Sequence, residues 1–217
     1  MRLLCVAKDR YPPFRVDIVE LFSHRIVGAG WSVDWLMPSG PAADDVVVHS
    51  ERERFFLILS RSPMRALWQI GGLLWAVLRG RYDLLQARDR PLLALPFLVA
   101  ARLAGRPFVY WMSFPIVESV ERRARDPGET LSPGGRLARL AYARLATVLF
   151  YKVVLRWSDR IVVQSPRMLA EVAARGIDPY KMTPVPMGVS TDRHHPARIL
   201  ARSLNCVHGP TYTPCGE

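Results

Sequence analysis

Residues 158–189 read SDRIVVQSPRMLAEVAARGIDPYKMTPVPMGV, and this stretch decides the fold class. It opens with a short Val-rich run that is typical of a buried strand. Helical spacing follows from Pro166 to Arg175, and Ser165 can cap that helix with Pro166 in its first turn. A last short strand is predicted within MTPVPMGV. The stretch therefore predicts a strand, a helix and a strand in succession.

The same alternation runs back to the N-terminus. Strands are predicted at 2–7 (RLLCVA), 32–38 (SVDWLMP), 83–87 (DLLQA) and 107–112 (PFVYWM), with helices at 16–29, 64–78 and 92–103 between them. Strands that alternate with helices of this length favour a parallel arrangement. We therefore expect an α/β fold: a Rossmann-like, mostly parallel sheet with helices on both faces.

The remaining segments set the domain limits. Residues 126–135 (DPGETLSPGG) are dense in Pro and Gly and predict a loop, which a long helix from Leu137 to Trp157 follows. Beyond Asp192 neither a period nor a core is visible. The sequence thus predicts one domain at 1–192 and a truncated or irregular tail at 193–217.

Composition restricts the class of protein and its partners. The chain has 217 residues, half of them hydrophobic, which is enough for one sizeable core. Its 30 Lys and Arg against 19 Asp and Glu give a net charge of +11, so the surface should attract phosphates, nucleic acid or acidic lipid headgroups. The basic residues are dispersed and no nucleic-acid recognition module is present, which argues against nucleic acid.

Cysteine usage and the N-terminus indicate a compartment. Three cysteines without regular spacing do not predict a disulfide framework, and Lys8 and Asp9 interrupt the first apolar run before a signal peptide could form. No apolar stretch reaches the roughly 18 residues of a spanning helix. We expect a cytoplasmic protein, with the inner face of the membrane as an alternative. No metal site is predicted, because Cys206, His208 and Cys215 match no zinc spacing.

The motifs resemble those of the glycosyltransferase family 4 N-terminal domain. That family has a Val-rich strand, a Ser, a helix, a segment with Lys, and a V-P-x-G-V loop that leads into a second domain. The matching residues here are Val162, Val163, Ser165, Lys181, Val185, Pro186, Gly188, Val189 and Pro196. The resemblance covers about residues 2–196.

This resemblance implies one half of a GT-B fold, in the acceptor-side position. It also implies metal-independent transfer from a nucleotide sugar, as a co-substrate, to a glycan or lipid-linked acceptor, in a cleft between two domains. The donor-binding half would be a separate or absent partner, so we expect the chain to be inactive alone. Two departures are present: no glycine pair occurs at 11–15, and Met112 or Ser113 stands where many members carry His.

Candidate acceptor-binding residues follow the predicted strands. Asp9, Arg10 and Arg15 come after the first strand, while Arg88 and Asp89 end another and Ser113 follows a third. Open α/β sheets bind ligands at the carboxyl ends of their strands. Arginines there could hold an acceptor phosphate; the alternatives are a solvated loop and a charged turn.

Two further sets of residues complete the predicted site. Glu118 is the one carboxylate we consider as a catalytic base, after the apolar surface of Trp111, Met112 and Phe114. Lys181, Met187 and Gly188 are assigned to the interdomain loop.

A membrane surface is the last predicted partner. No acidic residue occurs from Arg136 to Trp157, a helix that carries the basic residues Arg136, Arg139, Arg144, Lys152 and Arg156. Such a helix could lie on an anionic membrane, although its basic residues spread around the axis and burial against the sheet is equally compatible. A non-catalytic fragment that binds an acceptor or a membrane, and a basic nucleic-acid-binding protein, are the alternative functions.

Overall fold

A central eight-stranded sheet organises the molecule. The computed structural model describes residues 1–13, 15–39, 46–58, 62–114, 133–186 and 188. The strands are β1 (Arg2–Ala7), β2 (Ser32–Pro38), β3 (Val46–Ser50), β4 (Glu53–Ile58), β5 (Leu84–Arg88), β6 (Phe108–Met112), β7 (Arg160–Val163) and β8 (Met182–Pro184). Their order is β3-β4-β2-β1-β5-β6-β7-β8. Every neighbouring pair is parallel except β3 with β4, so the mostly parallel sheet is confirmed.

Helices cover both faces of this sheet, as predicted. They are α1 (Asp17–Ile26), wound in the wider π pattern, α2 (Pro63–Leu78), α3 (Pro91–Leu103), α4 (Pro133–Leu149), which continues as a π-type segment through Phe150–Leu155, and α5 (Pro166–Ala173). Ile18 and Phe22 of α1 fill the core on one face. The other four helices contribute to the core on the opposite face, for example Val77 of α2 and Phe97 of α3. Alternate strand residues point to opposite faces, which is why both faces are apolar.

The structure adds to the predicted elements in two places. The β3–β4 hairpin was not predicted, because the sequence around its turn is rich in charged residues and β3 is largely exposed. Helix α4 begins at Pro133, inside the stretch predicted as a loop, since Pro is tolerated in a first helical turn. The Ser165 cap is confirmed: its hydroxyl accepts a hydrogen bond from the Met168 backbone N–H at 3.1 Å.

The order of the strands marks one position in the sheet. From β1 the chain passes through α1 to β2 on one side, whereas β5 pairs with β1 on the other side. In open α/β sheets the usual ligand position lies at such a reversal, which here is at the carboxyl ends of β1 and β5. The predicted domain boundary at 192 and the tail lie outside the described residues. In the described part of the chain, no helix combines the length and apolar character needed to cross a bilayer.

Candidate functional site at the carboxyl ends of the strands

A buried arginine at the end of β5 is the centre of this site. The side chain of Arg88 is 1% exposed. Its Nε donates a hydrogen bond to the Ser113 hydroxyl at 3.1 Å, and its Nη2 donates to an Asp17 carboxylate oxygen. The guanidinium also lies over the Trp111 ring, 5.3 Å from the ring centre. Arg88 and Ser113, both predicted from sequence, are therefore in direct contact.

One end of the Arg88 guanidinium is unpaired. Among the described residues, Nη1 is buried and has no hydrogen-bond partner. A buried donor without an acceptor costs roughly 1–3 kcal/mol, and more when it is charged. Because the rest of the guanidinium is fixed by Ser113, Asp17 and Trp111, Nη1 is a pre-positioned donor for an anionic or hydroxyl-bearing ligand.

Asp89 connects β5 to the start of the segment after β6. Its carboxylate accepts a hydrogen bond from the Ser113 backbone N–H at 2.9 Å, and its backbone has a positive φ of 52°. Asp tolerates this left-handed conformation better than most residues do. Burial raises the pKa of the Asp89 carboxyl, although the hydrogen bonds from Ser113 oppose the shift. Asp89 thereby holds Ser113 where its hydroxyl meets Arg88.

The segment after β1 brings further charges to the same edge. Arg15 Nε lies 3.4 Å from an Asp17 oxygen, and Arg15 Nη1 lies 3.8 Å from an Asp9 oxygen. The other Asp9 oxygen and Arg90 Nε are buried without partners in the described part of the chain. Burial lowers the pKa of Arg90, and the nearby Asp9 charge opposes that shift. Unpaired donors and an unpaired acceptor thus occur together, as a ligand with both phosphate and hydroxyl groups requires.

Asp17 is a member of this site that was not predicted from the sequence. It lies in the first turn of α1, and its two oxygens contact Arg15 and Arg88. The sequence signal that could have identified Asp17 is a carboxylate in the first helical turn after the loop that follows β1. The interaction of Trp111 with Arg88 was also not predicted, since aromatic residues at strand ends are more often simply core.

Other predicted residues lie apart from this cluster or outside the described residues. Arg10 is exposed, and it forms no hydrogen bond or ion pair with the described residues of the cluster. Lys181 precedes β8 at the opposite edge of the sheet, where its ammonium donates to the Arg156 and Ser158 carbonyls at 3.0 and 3.4 Å. Gly188 is exposed. Glu118 and Met187 lie outside the described residues.

A cleft of about 310 Å³ lies on the other face of β6, between α5 and the continuation of α4. Met112, Tyr151, Met168, Val172 and Arg175 line it, and the Arg175 guanidinium stacks over the Tyr151 ring at 4.6 Å. Its lining is mainly apolar. No group of three or more His, Cys, Asp or Glu is placed to hold a metal ion within the described ranges.

Comparison with solved structures finds the same fold in glycosyltransferases. A glycosyltransferase from Rickettsia africae matches with a TM-score of 0.56 and 14% identity, over 98% of this chain and 51% of that chain. HepE from Anabaena, in complex with UDP, matches with a TM-score of 0.55 and 13% identity, over 96% of this chain and 51% of that chain. A sucrose-phosphate synthase chain from Thermosynechococcus elongatus matches with a TM-score of 0.53 and 15% identity, over 94% of this chain and 99% of that chain.

These identities show a shared fold, and this chain spans about half the length of the first two structures. No curated protein sequence matches it significantly. The family model for Glycosyltransferase Family 4 matches residues 18–193, which include Arg88, Ser113 and strands β2 to β8, while β1, Asp9 and Asp17 precede the matched range. The chain belongs to Glycosyltransferase Family 4.

Proposed function

We propose that this chain is the acceptor-side half of a glycosyltransferase that transfers a sugar from a nucleotide donor to a glycan or lipid-linked acceptor. The observation that carries the proposal is the group of Arg88, Asp17, Ser113, Asp9 and Arg90 at the reversal of the strand order, which we call the Arg88 cluster. Arg88 is fixed on three sides, and its Nη1 has no partner among the described residues. A fixed, water-poor donor binds an acceptor phosphate or hydroxyl without reorganisation, which is what orientation for transfer needs.

In this proposal the residues of the cluster have different tasks. Arg88 contacts the acceptor through Nη1, and Asp9 accepts a hydrogen bond from an acceptor hydroxyl through its unpaired oxygen. Ser113 and Asp17 are positioning residues, because they hold the guanidinium. Glu118 remains the predicted base. A cytoplasmic location also remains a prediction.

The nucleotide donor belongs to a second half in this proposal. Anabaena HepE has been solved with UDP and with UDP-glucose, and about half of its length is matched here. We therefore expect the purified chain to show no turnover of UDP-, GDP- or dTDP-sugars. Turnover clearly above a buffer control would contradict the assignment of donor contacts to another half.

A chimera tests the acceptor role directly. Residues 1–188 are joined to the donor half of an active family member, and kcat/KM is measured for phosphorylated and neutral acceptors. Arg88→Lys keeps the charge but loses the fork that bonds Ser113 and Asp17, so we expect a loss of roughly 100-fold or more. Arg167→Lys is the matched control, since the Arg167 side chain is 90% exposed on α5. Equal loss in both variants, or none in Arg88→Lys, would overturn the acceptor role.

A further inference from the structure

Helix α2 is apolar on two opposite sides. Leu73 and Val77 are buried in the core. Of its sixteen residues, Arg65 is the only charged one and Gln69 the only other with a polar side chain that is not aromatic. The outward residues Met64, Leu67, Trp68, Trp75 and Leu78 are all exposed, and we call them the α2 stripe. Their spacing of three, four and seven places them along one side of the helix.

The exposure of the two tryptophans is the unusual feature of the stripe. Trp68 is 77% exposed and Trp75 is 57% exposed. Scattered single apolar residues on a surface are ordinary, but a contiguous apolar patch marks an interaction site. An indole combines a large apolar body with one N–H donor, and this combination favours surfaces that are apolar on one side and wet on the other.

The stripe continues across the neighbouring helices. Helix α3 lies beside α2 and beside the continuation of α4. On their outer side, Val99 and Leu103 of α3 are exposed, as are Leu145 and Val148 of α4 and Trp157 after it. The apolar surface therefore extends over three neighbouring helices, α2, α3 and α4.

Charges on α2, α3 and α4 are of one sign, whereas α5, on the same face of the sheet, carries Glu171. Neither α2, α3 nor residues 133–157 contain an Asp or Glu. Basic residues border the stripe: Arg65 lies within α2, and the Arg79 guanidinium stacks over the Trp75 ring at 4.8 Å. Of the carboxylates that flank these helices in sequence, Asp83 and Asp159 are paired with Arg106 and Arg102, and Asp89 is buried. This surface thus presents apolar and cationic groups together.

We propose that the α2 stripe is a membrane-docking surface that lies flat in the headgroup region of an anionic bilayer. A second copy of the chain would bring the same cations and no carboxylate to pair with them, whereas anionic headgroups complement them. Tryptophans concentrate at membrane interfaces, and Arg side chains reach the headgroups while their stems stay in apolar surroundings. At about 24 Å, α2 suits a position in the plane of the membrane.

This docking orients the candidate site. Helix α2 follows β4, so its N-terminal end lies at the carboxyl edge of the sheet, the edge that carries the Arg88 cluster. A chain that lies on the α2 stripe would hold this edge, with the Arg88 cluster, alongside the lipid surface. That arrangement deepens the proposed function, on which it rests: the acceptor is lipid-linked, with its head at the level of the bilayer headgroups.

Flotation with vesicles tests the docking in the absence of donor and acceptor, so its result is independent of transfer activity. The 217-residue chain is mixed with phosphatidylglycerol/phosphatidylcholine vesicles or with phosphatidylcholine alone. We expect preferential binding to the anionic vesicles, and a fall of at least about tenfold in the partition coefficient for Trp68→Ser plus Trp75→Ser. Tyr180→Ser is the control, because Tyr180 is 90% exposed but lies away from the stripe. Unchanged binding of the double variant would overturn the proposal.

Two further measurements separate lipid from other occupants. Arg65→Gln plus Arg79→Gln should weaken binding to anionic vesicles and remove most of its salt dependence, with circular dichroism unchanged. Sedimentation velocity without lipid should give the same monomer for wild type and the Trp68/Trp75 variant. A wild-type dimer that the variant dissociates, together with absent vesicle binding, would assign the stripe to self-association and reject a membrane.

Discussion

The sheet carries two clusters of arginine and aspartate side chains, one around Asp34 and one around Arg88. They differ in how many of their buried polar atoms have hydrogen-bond partners. Asp34 in β2 is 1% exposed. One of its oxygens accepts from Arg54 Nε at 2.8 Å, and the other accepts from Arg54 Nη2 at 2.6 Å, Tyr82 Oη at 2.7 Å and Arg2 Nη2 at 3.0 Å. The Arg88 cluster uses the same types of residue but leaves atoms unpaired.

The unpaired atoms distinguish the proposed ligand site from the Asp34 cluster. In the Asp34 cluster both carboxylate oxygens are saturated, and the one unpaired buried atom is Nε of the partly exposed Arg2. In the Arg88 cluster, Arg88 Nη1, Arg90 Nε and one Asp9 oxygen lack partners within the described residues. Burial raises the pKa of Asp34, and its hydrogen bonds from Tyr82 and Arg2 oppose the shift. Pairing there compensates burial, whereas at the strand ends these atoms have no compensating partner among the described residues.

The largest expected effect comes from breaking the saturated cluster. Asp34→Ala leaves Arg54, Arg2 and the Tyr82 hydroxyl without their common acceptor; the two arginines are about one-third exposed, so the main cost is the unpaired buried Tyr82 hydroxyl together with the lost hydrogen bonds, about 1–3 kcal/mol. The change in the free energy of unfolding is measured by urea unfolding, followed by circular dichroism. Glu171→Ala is the control for an exposed carboxylate, and its free energy of unfolding should stay within about 0.5 kcal/mol of the wild-type value. A cost as small as that of the control would mean that Asp34 is not the centre of this part of the core.

The second effect sharpens the difference between the clusters. Inorganic phosphate or pyrophosphate should raise the melting temperature of the wild type, because a ligand that binds only the native state stabilises it. At ten times the dissociation constant this amounts to about 1.4 kcal/mol. Arg88→Lys should abolish the rise. Arg54→Lys, which alters the Asp34 cluster instead, should keep it while lowering the starting stability. Loss of the rise in both variants would contradict a ligand site confined to the strand ends.

The fold was predictable where one side of an element is clearly apolar. Strand β1 and strand β2 alternate with helices in a period that the sequence shows directly, and their positions are confirmed. The β3–β4 hairpin was not predictable in the same way, since β3 exposes most of its valines. Apolar periodicity also cannot separate the core side of α2 from the α2 stripe, because both sides are apolar.

The site was predictable as a position rather than as a set of contacts. Arg88, Asp89 and Ser113 follow strands, and parallel strands bring such residues to one edge. Asp17 was missed because its contact with Arg88 joins residues 71 positions apart and depends on how α1 packs. Arg10 has the same sequence context as Asp9 but remains exposed, which only the path of the loop decides.

The smallest expected effect concerns Asp89, whose carboxyl is buried but only partly compensated. Because its pKa is raised in the folded state, the folded protein retains a proton that the unfolded chain has already lost. The protonated Asp89 therefore makes its full contribution to stability below the ordinary pKa of Asp, and this contribution is lost as the pH rises through the pKa of Asp89 in the folded state. Asp89→Asn cannot ionise, keeps an acceptor for the Ser113 N–H, and tolerates the positive φ. Between pH 3 and pH 7, the free energy of unfolding of Asp89→Asn, measured with urea, should rise relative to that of the wild type by less than about 1 kcal/mol. Asp178→Asn is the control for an exposed carboxylate. A gain toward pH 3 instead would mean that Arg88 and Arg15 hold Asp89 as a charged partner, and would place it in the same class as the saturated cluster.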